Sequence, residues 1–366
     1  MQKKLTAAEK MQKFAKNVVD TEVDNLVTLQ LNLTDFCVCK CKGCEHWKWP
    51  NKKKLDLATL EKNVFPYFKS SKTLQSVVFS GGEPLLHPQI EKIVSIISRE
   101  YGKKVGIITS GLGKVSIDWK TLSENCSWIR FSSDGFTQDN YAETRGVNMF
   151  DTWTKNLKTL YNYNKDTSCK SRINITIHEY NIDNFSDNLL EFLEENQLFM
   201  PVYFWLSREY IDQFRKVFSQ KAEDIIMPDE VDKIGKKMAS LKVIAKSKGY
   251  MLDWTNVVRH FSKHQHIHYR SCYVPQIFLL TACDGNVFPC CYMYEPVFAE
   301  HMQQKQYVVG NINDQSIDEI LNSDKYKSVV KEFRECEKKF PQCKFCDRFD
   351  HINKYLNDYI EYPIFL

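Results

Sequence analysis

The 366-residue chain contains no uninterrupted apolar run that approaches the length of a membrane span. Its first residues, MQKKLTAAEKMQKF, lack the apolar central stretch of a secretory signal. The expected location is therefore the cytoplasm, with no membrane partner. Concentrated charge of one sign is also missing. The formal net charge is +4, the lysines are spread singly, and no basic stripe interleaved with aromatics is present. That argues against a nucleic-acid partner. Cysteine is plentiful, however. Thirteen cysteines in a chain read as cytoplasmic point to metal or redox chemistry before disulfides. An apolar fraction of 43% supports a sizeable core. The length implies two domains, or a barrel with an appendage.

Three of these cysteines, Cys37, Cys41 and Cys44, stand in the spacing C-x3-C-x2-C, and Gly81-Gly82-Glu83-Pro84 follows about forty residues later. Three thiolates this close suit three irons of a 4Fe–4S cluster and leave the fourth iron without a protein ligand. The amino and carboxylate groups of S-adenosylmethionine (SAM) suit that open iron. Val27, Leu29, Leu31 and Leu33 alternate as in a strand directly before the cysteine loop. The loop is thus expected at the C-terminal end of a strand, the functional end of parallel α/β sheets and barrels. The run Ser76 to Ser80 reads as a buried strand ending in Gly81-Gly82, where two glycines allow a ligand close to the backbone.

These motifs, in this order, resemble the radical SAM superfamily. The resemblance implies an open partial (β/α)6 barrel, a SAM-binding 4Fe–4S cluster on Cys37, Cys41 and Cys44, and SAM contacts from Gly81, Gly82, Glu83 and Pro84. Strand signals at 27–33, 74–79, 104–109, 128–132, 172–178 and 201–206 supply six units, with right-handed crossovers expected. Helices are expected at 8–25, 87–100, 150–164 and 184–196. Ser132 resembles the strand-four serine that meets the SAM carboxylate, and reads equally as a strand-end turn residue. Arg172, at the start of strand five, resembles a cation for the same carboxylate, and reads also as a surface charge. Arg145-Gly146 resembles a recurrent Arg-Gly after strand four, or a helix-start turn. Gly43 stands where the family usually carries an aromatic that packs on adenine; His46, Trp47 and Trp49 are the nearby replacements. Cys39 lies inside the motif and is read as a bystander.

A second set of cysteines follows. Cys272 and Cys290 flank a hairpin signal at Asp284-Gly285-Asn286, and Cys343 and Cys346 stand as C-x2-C. A helix over 316–333 would bring the last pair back. The pattern resembles the twitch domain, the short form of the SPASM auxiliary-cluster domain, and implies Cys272, Cys290, Cys343 and Cys346 as ligands of one auxiliary 4Fe–4S cluster. Four cysteines also suit tetrahedral zinc. Cys283, Cys291 and Cys336 are spare thiols, with Cys291 next to a ligand. Cys126 and Cys169 read as inert, and the histidines from His260 to His268 as a solvated segment. The expected division is 1–25 helical extension, 26–210 barrel, 211–268 helical bridge, 269–350 auxiliary-cluster domain and 351–366 tail.

The resemblance implies SAM cleavage to a 5′-deoxyadenosyl radical, removal of a substrate hydrogen atom, and transfer of an electron to the auxiliary cluster. A one-electron donor such as flavodoxin or ferredoxin would drive it. The N-terminal extension is too short for a peptide-recognition domain, so dehydrogenation of a sugar or other small molecule is the favoured expectation. Oxidation or cross-linking of a ribosomal peptide is the alternative, and a non-catalytic zinc or iron–sulfur protein is the reading from another class. No residue is assigned as catalytic acid or base.

Overall fold

The structure, a computed structural model, describes residues 6–20, 25–42, 44, 46–48, 52–178, 180–206, 229–261, 271–294, 307–335, 352, 353 and 356. Helix α1 (Ala7–Asp20) precedes strand β1 (Thr28–Asn32). Then come α2 (Leu57–Asn63), α3 (Phe65–Ser70), β2 (Ser76–Ser80), α4 (Ile90–Ser95) and β3 (Lys104–Thr109). Next are α5 (Trp119–Asn125), β4 (Trp128–Ser132), α6 (Gln138–Arg145), α7 (Phe150–Asn164) and β5 (Lys170–Ile177). They lead to α8 (Leu189–Glu195), β6 (Val202–Leu206), α9 (Asp229–Ser247), β7 (Leu252–Asp253) and α10 (Thr255–Phe261). The C-terminal part holds α11 (Val274–Ile277), β8 (Phe278–Thr281), β9 (Asn286–Phe288), β10 (Gly310–Asn311), α12 (Ile317–Asn322) and α13 (Asp324–Arg334).

All ten strands form one open sheet in the order β10-β9-β8-β1-β2-β3-β4-β5-β6-β7. The first seven are parallel, so each crossover lays a helix on the sheet. The six expected strands are all present. The seventh, β7, falls inside the segment read as a helical bridge; with two residues it is too short to show alternation. Strand β8 of the C-terminal part pairs parallel with β1, Thr28 opposite Phe278 and Leu31 opposite Thr281, and then turns back antiparallel into β9 as the hairpin signal predicts. The auxiliary region therefore continues the barrel sheet.

Period-two alternation decides the two faces. In β4 the buried residues are Ile129 and Phe131, and in β5 they are Ser171, Ile173, Ile175 and Ile177. Phe131 packs against Trp119 of α5 and Trp153 of α7, so this face meets the helices. Each such fully buried large side chain contributes on the order of 1.5–3 kcal/mol. The opposite face carries Arg130, Ser132, Arg172, Asn174, Thr176 and Tyr203, all half-buried.

Four helix expectations change, two of them in extent: the 8–25 helix ends at Asp20, and the 184–196 helix begins at Leu189. The 87–100 helix begins at Ile90 and relaxes into a π turn over Ile96–Glu100. The 316–333 helix is two helices, because Ser323 adopts an extended backbone and its side chain caps Tyr326 N–H to start α13. Helix α1 packs on the C-terminal part: Arg334 donates to Val18 O at 2.7 Å and Gln276 to the same oxygen at 3.4 Å. Among the described residues no helix is long and apolar enough to cross a membrane.

Candidate active site at the cysteine loop

Strand β1 ends at Asn32 and releases the cysteine loop, which the backbone holds on three sides. Asp35 N–H donates to Lys53 O and Leu55 N–H to Leu33 O. Gly82 N–H donates to Thr34 O (3.0 Å) and Glu83 N–H to Phe36 O (2.7 Å). From the far side, Lys40 N–H bonds Arg145 O at 2.9 Å and Lys42 N–H bonds Thr144 O at 3.2 Å. The loop is thus docked between the Gly81–Pro84 segment and the C-terminal end of α6.

The structure gives the glycines a packing role. A Cβ on Gly82 would lie 2.5 Å from Phe36 O and 2.8 Å from Thr34 O, and one on Gly81 2.9 Å from Asn32 Cβ. Their missing side chains make room for the cysteine loop and β1. Gly82→Ala is therefore expected to displace the loop: iron bound at this site should fall well below wild type while circular dichroism stays near normal. Wild-type iron content in that variant would show the contact is compliant. Gly146 works similarly. It is the left-handed C-cap of α6 (φ 67°), and its Cβ would meet Lys40 O at 2.5 Å. The Arg145-Gly146 pair therefore ends a helix rather than starting one.

Glu83 is fully buried, and its carboxylate is taken up by hydrogen bonds. Oε1 accepts from Leu85 N–H (2.9 Å) and Thr109 Oγ1 (2.6 Å), and Oε2 accepts from Ser110 N–H (2.6 Å) and Ser110 Oγ. Burial lifts its pKa to about 7 against these four donors. The side chain locks the end of β3 to this segment, so only its backbone is left for a cofactor. Pro84 opens a short 3-10 turn over Pro84–Leu86, fixing the bend as expected.

Cys37, Cys41 and Cys44 are all half-buried, and Cys44 N–H donates to Cys41 O at 3.2 Å. Cys39, the expected bystander, is buried to 1% exposure among them. Its sulfur lies in hydrogen-bonding reach of Cys37, Cys41 and Ser110; donation from Cys37 first, then Cys41, draws its pKa down. Among the described residues no three metal-binding side chains converge as they would on a single ion. A cluster with one thiolate per iron does not need that convergence. Trp47 folds back on the loop, Nε1 donating to Cys41 O at 3.1 Å, and the His46 ring lies 5.7 Å from that of Tyr294. Trp49 is outside the described residues.

The buried cation next to the cysteine loop is Arg145. Arg145 Nη1 bonds Asp134 Oδ2 at 3.0 Å, and Asp134 Oδ1 accepts from Thr176 N–H at 2.9 Å. Burial opposes the guanidinium charge, but Cys41 and Asp134 outweigh it, so the group stays protonated. Arg172 lies instead with its guanidinium 4.1 Å from the ring centroid of Tyr203 and 5.9 Å from that of Trp128. Ser132 ends β4 opposite Asn174, and its neighbour Ser133 is fully buried, donating to Gly135 O. The Asp134–Arg145 pair has no signal in spacing alone, because Asp134 sits in a turn and Arg145 at a helix end.

Two buried donors of α6 have no hydrogen-bond partner among the described residues: Arg145 Nε and the Tyr141 hydroxyl. Both groups lie within electrostatic reach of Cys39 and Cys41. Donors left open around a set of thiols fit the sulfur atoms of an iron–sulfur group.

In the C-terminal part, Cys272 and Cys290 are buried, and Asn353 Nδ2 donates to Cys272 Sγ at 3.4 Å. Cys336, Cys343, Cys346, His264, His266 and His268 lie outside the described residues. Tyr294 O–H donates to Asp35 Oδ1 at 3.3 Å, and Cys283 reaches the same carboxylate, joining the hairpin region to the root of the cysteine loop. Cys126 and Cys169 are buried in the barrel, and burial pushes the Cys169 thiol up to about 12, in keeping with inert thiols.

Comparison with known proteins follows this division. The family model for the radical SAM superfamily matches residues 31–189, and that for an iron–sulfur cluster-binding domain, SPASM, matches 272–348. No curated protein matches the chain. Among solved structures, Streptococcus suis SuiB bound to SAM superposes with a TM-score of 0.60 at 15% identity, over 94% of this chain and 78% of that one. SuiB bound to the precursor peptide SuiA gives 0.60 at 16%, over 97% and 80%. The anSMEcpe structure with bound AdoMet and the Cp18Cys peptide gives 0.58 at 18%, over 88% and 87%. At these identities the likeness is one of fold. The two domain matches, with the cysteine loop, make this chain a member of the radical SAM superfamily that carries a C-terminal SPASM-type iron–sulfur cluster-binding domain.

Proposed function

We propose that this chain modifies a peptide by radical chemistry, oxidising or cross-linking a residue, rather than dehydrogenating a sugar. The observation that carries the reading is the single sheet. Pairing of β8 with β1 sets the hairpin between Cys272 and Cys290 beside the cysteine loop, as a direct continuation of the barrel. The same whole-chain arrangement matches SuiB and anSMEcpe, both solved with peptides.

In this reading Cys37, Cys41 and Cys44 hold the SAM-binding cluster, and Cys272, Cys290, Cys343 and Cys346 hold one auxiliary cluster. When bound, the cluster and SAM supply the radical that removes a hydrogen atom from substrate. The chain's own residues do the rest. The backbone of Gly81 to Pro84, with Ser132, lines the SAM side. The half-buried face of β4 to β6 offers polar atoms to a ligand: Asn174 Oδ1 and Trp205 Nε1 are buried with no partner among the described residues. Tyr294 and Asp35 hold the hairpin region against the loop and help keep water from the space between them. A flavodoxin or ferredoxin is the expected source of the electron.

The test uses reduced, anaerobically reconstituted protein with SAM. Release of 5′-deoxyadenosine checks the superfamily chemistry. Short precursor peptides encoded beside this gene, and a panel of aminoglycoside-type sugars, are then followed by mass spectrometry. A peptide that loses two hydrogens, with matching 5′-deoxyadenosine, supports the proposal. Loss of two hydrogens from a sugar, with every peptide unchanged, overturns it.

A further inference from the structure

We propose that helix α6 tunes the cysteine-loop cluster: Arg145, assisted by Tyr141, raises its reduction potential, and Asp134 opposes them. The proposal rests on the assignment of Cys37, Cys41 and Cys44 as ligands, and the experiment below separates the two.

Tyr141 and Arg145 are four residues apart, so they share one face of α6. That helix is docked on the cysteine loop, since Lys40 and Lys42 N–H groups bond its last carbonyls. The same bonds occupy carbonyls whose partial negative charge would otherwise oppose an incoming electron. Tyr141 is fully buried and Arg145 is 9% exposed. The ion pair with Asp134 accounts for Nη1 but leaves Nε open, and the Tyr141 hydroxyl is likewise open among the described residues. Arg145 is placed at the loop by its own backbone, since its carbonyl accepts from Lys40 N–H, one residue from Cys41.

Reduction adds one negative charge to a cluster. A cation and hydrogen-bond donors in a poorly solvated pocket favour that charge and raise the potential. An ion pair that served only to brace the loop would not call for two further buried donors left open on the same helix.

Arg145→Gln, Tyr141→Phe, Asp134→Asn and the double variant Asp134→Asn/Arg145→Gln are compared in the full-length reconstituted protein. Iron is assayed first, and a redox titration followed by electron paramagnetic resonance comes second. Arg145→Gln is expected to cut the ratio of reduced to oxidised cluster at a fixed donor potential at least tenfold, about 59 mV for a one-electron couple. Tyr141→Phe should shift in the same direction by less. Asp134→Asn should shift the opposite way, and the double variant should fall between the singles. If wild-type protein holds no iron at this loop, the ligand assignment fails. If iron is normal and the potentials are unchanged, or Asp134→Asn and Arg145→Gln shift in the same direction, the tuning proposal fails. Should Arg145→Gln not retain iron, Tyr141→Phe and Asp134→Asn decide alone: opposite shifts support the proposal, and equal or absent shifts overturn it.

Discussion

Replacing any one of Cys37, Cys41 or Cys44 by alanine is expected to take reconstituted protein from roughly eight irons per chain to roughly four, for two four-iron clusters. Release of 5′-deoxyadenosine should fall to background. Cys39→Ala should keep the full iron content, although its sulfur is the most buried of the four. The reason is geometric. Cys39 touches its neighbours from inside the loop, against Ser110 and the α6 wall, whereas the other three are half-buried around it. Iron analysis with and without Cys39 decides. If Cys39→Ala loses iron as completely as Cys41→Ala, the ligand set is C-x-C-x2-C and the present assignment is wrong. Tightly bound zinc in place of iron would sink the cluster reading at this loop altogether.

The second large effect is expected at the auxiliary site. Cys343→Ala combined with Cys346→Ala should uncouple the enzyme. The first cluster would persist, so SAM would still be cleaved, but the substrate radical would have no acceptor for its electron. Oxidised product should therefore fall much further than 5′-deoxyadenosine. This pair is preferred to Cys272 and Cys290, which are buried in the core and would be lost along with packing. Metal binding is linked to folding, so a melting curve must accompany the assay. A well-folded double variant that makes product at the wild-type ratio would reduce the second site to a structural one. Retention of the auxiliary-cluster spectrum would point to Cys283, Cys291 or Cys336 as a substitute ligand.

The strands were legible in the sequence because period-two alternation survives wherever one face is buried. Val77 and Phe79, or Ile129 and Phe131, announce themselves without any tertiary information. Strand β7 was not, because two residues carry no period. Helix α6 was not either. Its sequence, QDNYAETR, holds one large apolar residue, and it is fixed by a Thr137 cap, the Gly146 C-cap and the cysteine loop bonded to its end. The glycines of the Gly81–Pro84 segment were found, but not their packing role. Sequence shows that a side chain is excluded and not what excludes it, which here is the backbone of Thr34 to Phe36.

The sequence by itself determined which residues are candidates for the chemistry. Thiol spacing and a Gly-Gly turn at strand ends are local features, and the family membership follows from them and their order along the chain. Tertiary structure alone decided what surrounds those residues. It placed Arg145 at the cysteine loop, turned the Glu83 carboxylate inward to β3, and joined β8 to β1 so that the two candidate cluster regions share one sheet. Charge pairing and strand pairing act through space between segments more than a hundred residues apart in some cases, so no local pattern records them.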